Sequence, residues 1–369
     1  MENIISVFDK VLTKCKEINA SDVHLCVGSS WKYRIHGLIT SIPSLPPLKV
    51  SECEDIVKHI VLRTKTVADE EIDKTVRTIK DLDCSYSIPG ISRFRVNICR
   101  QRGSFSVVLR VIPFETPTIE VLGLPDVIKD IAMEERGLIL VTGITGSGKS
   151  STLAAMINLI NQAKQCKIVT IEDPIEFLHK EIKASIVQRE VGPDTDSFAK
   201  ALRAALRQDP DIILVGEMRD QDTIDTALKA AETGHLVLST LHTVDAPKTI
   251  QRIISVFDLN EQKTVRIRLA EALRAVISQR LLRRHDIPNS RVAVLEIMRN
   301  TLTIKDCIED PEKGENIRDF IASGTDQYGM QTFDQHLMEL YSKGIIDLET
   351  AKSAATSAAD FQRNVQFSG

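Results

Sequence analysis

Apolar residues recur along the chain at two spacings, near 3.6 and near 2, and the switches between them mark its elements. Ile4, Val7, Phe8, Val11, Cys15 and Ile18 fall on one stripe, so residues 1–20 are predicted to form an amphipathic helix. A strand is expected from Ser21 to Leu25, and Tyr33–Ile35 continues one across a Gly28-Ser29-Ser30 turn. Pro43, Pro46 and Pro47 mark a loop, and Glu52 to Leu62 repeats the helical pattern. Ser92 to Gln101 then alternates sharply: Phe94, Val96 and Ile98 face one way, Arg93, Arg95 and Asn97 the other. Arg102-Gly103 reads as a turn and Ser106 to Ile112 as the return strand, which carries Arg110.

Beyond Val121 the strands become apolar runs, as in a sheet buried on both faces: Leu138–Val141, Ile168–Ile171, Ile212–Val215 and Leu236–Leu238. Helical patterns separate some of them. One places Phe198, Leu202, Ala205 and Leu206 inward; another does so with Ile224, Ala227, Leu228 and Ala231, and Gly234 stops it. From Leu259 onward the pattern is mostly helical. The predicted class is α/β, a doubly wound parallel sheet preceded by a smaller α+β domain. Residues 1–113 are assigned to the small domain, 114–120 to a linker, 121–300 to the sheet domain and 301–369 to a helical region.

One motif carries specific chemistry. Gly143-Ile144-Thr145-Gly146-Ser147-Gly148-Lys149-Ser150 fits G-x-x-x-x-G-K-[ST] without a mismatch. It sits where its mechanism requires, between the run ending at Val141 and a helix with Leu153, Met156, Ile157 and Ile160 on one face. Gly143, Thr145, Gly146, Ser147, Gly148, Lys149, Ser150 and Ser151 are the expected phosphate contacts, because a glycine-rich turn at a helix N-terminus aims backbone N–H groups at anions. Lys149 supplies a positive charge for the β- and γ-phosphates, and the Ser150 hydroxyl a ligand for Mg²⁺. ATP and Mg²⁺ are therefore expected.

Hydrolysis also needs groups that organise water and metal. Strand ends supply them, since ligands of open α/β sheets bind at the carboxyl edge. Glu172-Asp173-Pro174-Ile175-Glu176 follows one run, and Pro174 keeps these acids in a loop. Gly216-Glu217-Met218-Arg219-Asp220 follows another, with Gly216 where a Walker B strand usually ends in Asp. Glu217 is placed to act either through a magnesium-bound water or as the polarising base. His242, after Ser239-Thr240-Leu241, lies at the same expected edge, and His235 opens that strand.

Composition narrows the picture. The 369 residues are 43% hydrophobic and 27% charged, with a net charge of −4, which fits a globular chain and not the basic footprint of a nucleic-acid binder. The seven cysteines never form C-x-x-C, so no zinc site is expected. No signal peptide or 18-residue apolar run is read, and the chain is expected to be cytoplasmic.

These ordered motifs, with Arg207-Gln208-Asp209-Pro210-Asp211 and Thr233-Gly234-His235, resemble the secretion ATPase superfamily, above all the type IV pilus retraction (twitching motility) ATPases. The resemblance runs from Ser21-Asp22-Val23-His24-Leu25 to Gly329-Met330-Gln331-Thr332-Phe333-Asp334. It implies a homohexameric ring of subunits with a PAS-like N-terminal domain and a RecA-like ATPase domain. It implies that Glu176 and Glu217 are the catalytic glutamates and that His242 is the active-site histidine. Arg93, Arg95 and Arg110 match positions that reach the nucleotide when the two domains close.

The implied role is ATP-driven pilus retraction at the inner face of a bacterial cytoplasmic membrane, through a membrane platform protein and without specific nucleic acid. The alternatives are an accessory retraction paralogue, a secretion or DNA-uptake motor, and, from another class, a RecA-like nucleic-acid motor. The family's A-I-R-N-L-I-R-E motif corresponds to Thr303-Ile304-Lys305-Asp306-Cys307-Ile308-Glu309-Asp310, where Glu309 replaces the second arginine.

Overall fold

A computed structural model describes residues 3–35, 37–64, 71–112 and 115–368. It divides into two units, residues 1–115 with 174–178 and residues 116–173 with 179–369. The predicted domain end at Pro113 lies outside the described residues.

In the first unit, helix α1 (Ile4–Glu17) leads into strands β1 (Ala20–Cys26), β2 (Lys32–Ile35) and β3 (Leu38–Ser41). Helices α2 (Val50–Arg63) and α3 (Ile72–Thr78) follow, then β4 (Asp81–Ile88), β5 (Ser92–Gln101) and β6 (Ser104–Ile112). The strands form one antiparallel sheet in the order β3-β2-β1-β6-β5-β4. Phe94, Val96 and Ile98 from β5 join Phe8 and Leu12 from α1 and Ile56 and Ile60 from α2 in a single core. The β5–β6 hairpin turns where expected, Gln101 opposite Ser104. The sequence pattern missed β3, α3 and β4. All four residues of β3 are exposed, so burial imposes no alternation on it.

In the second unit, α4 (Val127–Ala132), β7 (Gly137–Thr142), α5 (Lys149–Ala163), β8 (Lys167–Glu172) and β9 (Ser185–Glu190) come first. Then follow α6 (Phe198–Ala205), β10 (Ile212–Val215), α7 (Gln221–Glu232), β11 (Leu236–Leu241), α8 (Ala246–Ser255) and α9 (Leu259–Ala272). The sheet order is β13-β12-β7-β11-β10-β8-β9, with β12 (Leu273–Arg283) and β13 (Arg291–Arg299) at one edge. All neighbours are parallel except β12 and β13. Two cores cover the two faces. Leu138 and Leu140 pack with α6 to α9 on one side, while Ile139 and Val141 pack with α4 and α5 on the other.

The expectation of helix beyond Leu259 is corrected here. β12 and β13 interrupt it, and β13 adds an antiparallel edge to the parallel sheet. Leu273–Ile277 is buried on both faces, and such a run reads equally as helix or strand. Helices then resume: α10 (Leu302–Glu309), α11 (Ile317–Ser323), α12 (Thr325–Tyr328), α13 (Phe333–Ser342), α14 (Leu348–Ala354) and α15 (Ala358–Ser368). Phe333, Leu337 and Leu340 of α13 cover Val292 and Val294 of β13.

Candidate active site

Strand register brings the second unit's motifs to one edge. Thr142, the last residue of β7, lies opposite Leu241 of β11 and Ser278 of β12. Val215, which ends β10, lies opposite Ser239 and Ile171. The loop after β7, the Gly216-Glu217 turn, the Glu172-Asp173 turn and His242 therefore all leave the sheet at its carboxyl edge. His235 does not. It precedes Leu236, which pairs with Gly137 at the opposite end of the strands, and its Nδ1 lies 2.9 Å from the Ala230 carbonyl oxygen. His235, which opens β11, therefore stands apart from the residues at the carboxyl edge.

The phosphate-binding loop is tightly built. Gly148 caps α5 at φ +92°, a conformation that glycine adopts without strain. A Cβ on Gly143 would stand 2.4 Å from the Gln279 carbonyl oxygen and 2.5 Å from Ser147 Oγ. Lys149 is 8% exposed, and its ammonium donates to the carbonyls of Gly143 (2.8 Å) and Ile144 (3.1 Å). Ser147 Oγ is buried with no hydrogen-bond partner among the described residues. An unpartnered hydroxyl, a glycine cradle and a helix N-terminus in one turn fit a bound phosphate.

Sequence reasoning missed the residue beneath this loop. Gln279 of β12 is 2% exposed; its Nε2 donates to the Ser147 carbonyl at 2.6 Å and its Oε1 accepts from Thr152 Oγ1 at 2.9 Å. Next to it, Thr142 Oγ1 donates to Ser278 Oγ at 2.9 Å. No motif marks Gln279, and its strand β12 falls in the stretch after Leu259 where the sequence pattern predicts helix.

Glu217 is pinned through its backbone neighbours. Gly216 N donates to the Ile171 carbonyl (2.7 Å), Met218 N to the Thr240 carbonyl (3.2 Å), and Thr240 Oγ1 to the Gly216 carbonyl (2.6 Å). Its side chain is 17% exposed; Oε1 accepts from Arg219 Nε and lies 3.2 Å from His242 Nε2. The hydrogen bond that Arg219 donates to Glu217 holds the guanidinium further in its charged form. Asp220, the last acid of this run, turns away. It caps α7, accepting from Thr223 N (2.8 Å) and Thr223 Oγ1 (2.9 Å). Glu172 accepts from Thr170 Oγ1 at 2.7 Å and from Gln188 Nε2 at 3.2 Å. Glu176 is exposed and belongs to the first unit's residues.

In the first unit, Arg95 and Arg110 lie opposite each other across β5 and β6. Like charges in that position repel. Asp22 of β1 offsets one of them: its side chain is 5% exposed and accepts from Arg110 Nε at 3.0 Å, with Arg34 Nε at 3.7 Å. Arg93 extends the same face of β5, two residues before Arg95.

Residues 1–356 match the family model described as "Type II/IV secretion system protein". The chain belongs to this family. It is 44% identical to the type IV pilus retraction ATPase PilT of Pseudomonas aeruginosa over 93% of its own length and 96% of that protein's. It is also 44% identical to a twitching motility protein of Neisseria gonorrhoeae, covering 88% of this chain and 84% of the relative. The solved structure of the pilus retraction motor PilT with bound ADP superposes with a TM-score of 0.84 at 43% identity, covering 96% of this chain and 98% of that one. This secretion-family chain is an ATPase, and the fit of its loop to a phosphate agrees with that assignment.

The departure at Glu309 lies on α10. Ile304, Cys307 and Ile308 are buried while Glu309 is exposed, so the apolar face persists and the reversed charge stands on the outer face. Lys305, which holds the place of the motif's first arginine, pairs with Glu271 at 2.5 Å, and that bond raises its pKa. The last turn of α10 carries no basic residue, so Glu309 opposes the helix dipole. No helix among the described residues is long and apolar enough to cross a membrane.

Proposed function

We propose that this ATPase is the motor for type IV pilus retraction, working as a ring of six copies at the cytoplasmic face of the inner membrane. The observation that carries the reading is 44% identity over nearly the whole chain to a pilus retraction ATPase, together with an intact loop from Gly143 to Ser150. The ring pulls through a membrane platform protein, and no nucleic acid takes part.

In this reading Lys149 binds the β- and γ-phosphates, and Gly143, Thr145, Gly146, Ser147, Gly148 and Ser151 supply the remaining loop contacts. The Ser150 hydroxyl, and Glu217 through water, would hold Mg²⁺, which would supply positive charge against the phosphates. Glu217 orients the attacking water and takes its proton as the bond from the γ-phosphorus to the bridging oxygen breaks. His242 holds the Glu217 carboxylate in place, and Glu176 is a second acid for the same task. Arg93, Arg95 and Arg110 neutralise the γ-phosphate when the subunit closes. Their support is the arginine face of β5 and β6, where Arg95 stands opposite Arg110 and Arg110 pairs with Asp22.

A second reading, an accessory retraction motor of the same family, is favoured by Glu309 alone. Deleting the gene and scoring pili and twitching tests both. Excess surface pili without movement support retraction, normal piliation with weakened movement supports the accessory role, and loss of pili indicates assembly instead.

A further inference from the structure

The Ser147 carbonyl is fixed by a buried side chain that belongs to no nucleotide-binding motif. It can only accept, so the end of the Gln279 amide facing it at 2.6 Å must be the NH₂ group. The opposite end then accepts from the Thr152 hydroxyl at 2.9 Å, which leaves the amide one satisfied orientation. In a planar trans peptide the C=O and the following N–H point in opposite directions. Drawing the Ser147 C=O down onto Gln279 therefore turns the Gly148 N–H away from β12, toward the concave side of the loop. Gly148 is at φ +92° with its pro-β position 2.8 Å from Gln279 Nε2, so a side chain there would displace the amide as well as strain the backbone. Gln279 is itself carried by a strand locked to β7, through the pairing of Ser278 with Thr142 and the 2.9 Å bond between their hydroxyls.

We infer that Gln279 is a positioning residue for nucleotide binding: it orients the Ser147–Gly148 peptide so that the Gly148 N–H donates to a phosphate of ADP or ATP. The inference rests on the ATPase assignment and adds to the loop a residue 129 positions beyond its end. Gln279 acts on the ground state and the transition state alike, because the phosphate that accepts from Gly148 is bound in both. Its loss should raise KM and the ADP dissociation constant far more than it lowers kcat.

The test is ADP titration and steady-state ATP turnover on the full-length chain, comparing wild type with Gln279→Met, which keeps length and removes both hydrogen bonds. The expected result is ADP binding weakened by roughly 10–100-fold, the worth of one hydrogen bond to a charged group, with kcat changed by less than about threefold. Gln279→Met that melts lower yet binds ADP within about twofold of wild type would overturn the inference, because that is the signature of packing alone. If Gln279→Met does not fold, Thr152→Val carries the test. It leaves Gln279 in place and removes the hydroxyl that orients the amide. A severalfold loss of ADP affinity supports the inference, and unchanged affinity overturns it. Wild-type protein that binds no ADP would instead refute the ATPase assignment.

Discussion

His242 Nε2 lies 3.2 Å from Glu217 Oε1, and the two residues leave the sheet from different strands. The contact depends on the register that places Val215 opposite Ser239, so the sheet itself delivers the pair. His242 is 42% exposed in its side chain while Glu217 is 17% exposed, which leaves the histidine as the outer member. His242→Ala should lower kcat by roughly 10²-fold through loss of the carboxylate's orientation, with ADP affinity unchanged. Paired measurements of turnover and ADP binding check this.

Asp220 makes the opposite case. It stands three residues after Glu217 in an acidic run, yet both its oxygens are taken by Thr223 at the start of α7. Asp220→Ala should cost about 1 kcal/mol of stability in urea unfolding, the usual worth of an N-cap, while ATP turnover stays near wild type.

The arginine face of the first unit gives a third expectation. With Arg93→Ala and Arg95→Ala combined, ATP should still bind through the Gly143–Ser150 loop, and hydrolysis should fall by roughly 10³-fold or more. Full-rate hydrolysis by the double variant would remove these arginines from the mechanism.

His179 predicts an acid sensitivity. Burial pushes its pKa from 6.5 down to about 4, because the charged imidazolium loses its hydration. Between these values the unfolded chain binds a proton that the folded chain refuses, so stability falls as pH drops. The loss is about 1.4 kcal/mol per pH unit across that window at most. Urea midpoints at pH 7 and pH 5 should therefore differ less in His179→Leu than in wild type.

Much of this was legible because local chemistry and global pattern agreed. The β5–β6 hairpin is visible from its alternation, and the strands before Gly143, Asp173 and Gly216 from their predominantly apolar runs. Other features were hidden for physical reasons. β3 has no buried residue to set a period. Apart from Arg274, the start of β12 is apolar and buried on both faces, so periodicity does not tell it from helix, and Gln279 is hidden with it. Asp220 and His235 have the residue types of an active site; what separates them from Glu217 and His242 is which end of a strand or helix they occupy, and only the register reveals that.

In the proposed function the chain hydrolyses ATP through Glu217, with the nucleotide held by the Gly143–Ser150 loop. Steady-state ATP turnover of Glu217→Ala, read alongside its ATP binding, tests it most directly. The variant should bind ATP as wild type does and turn it over roughly 10²–10⁴-fold more slowly. Near wild-type turnover by a variant that binds ATP normally would contradict it.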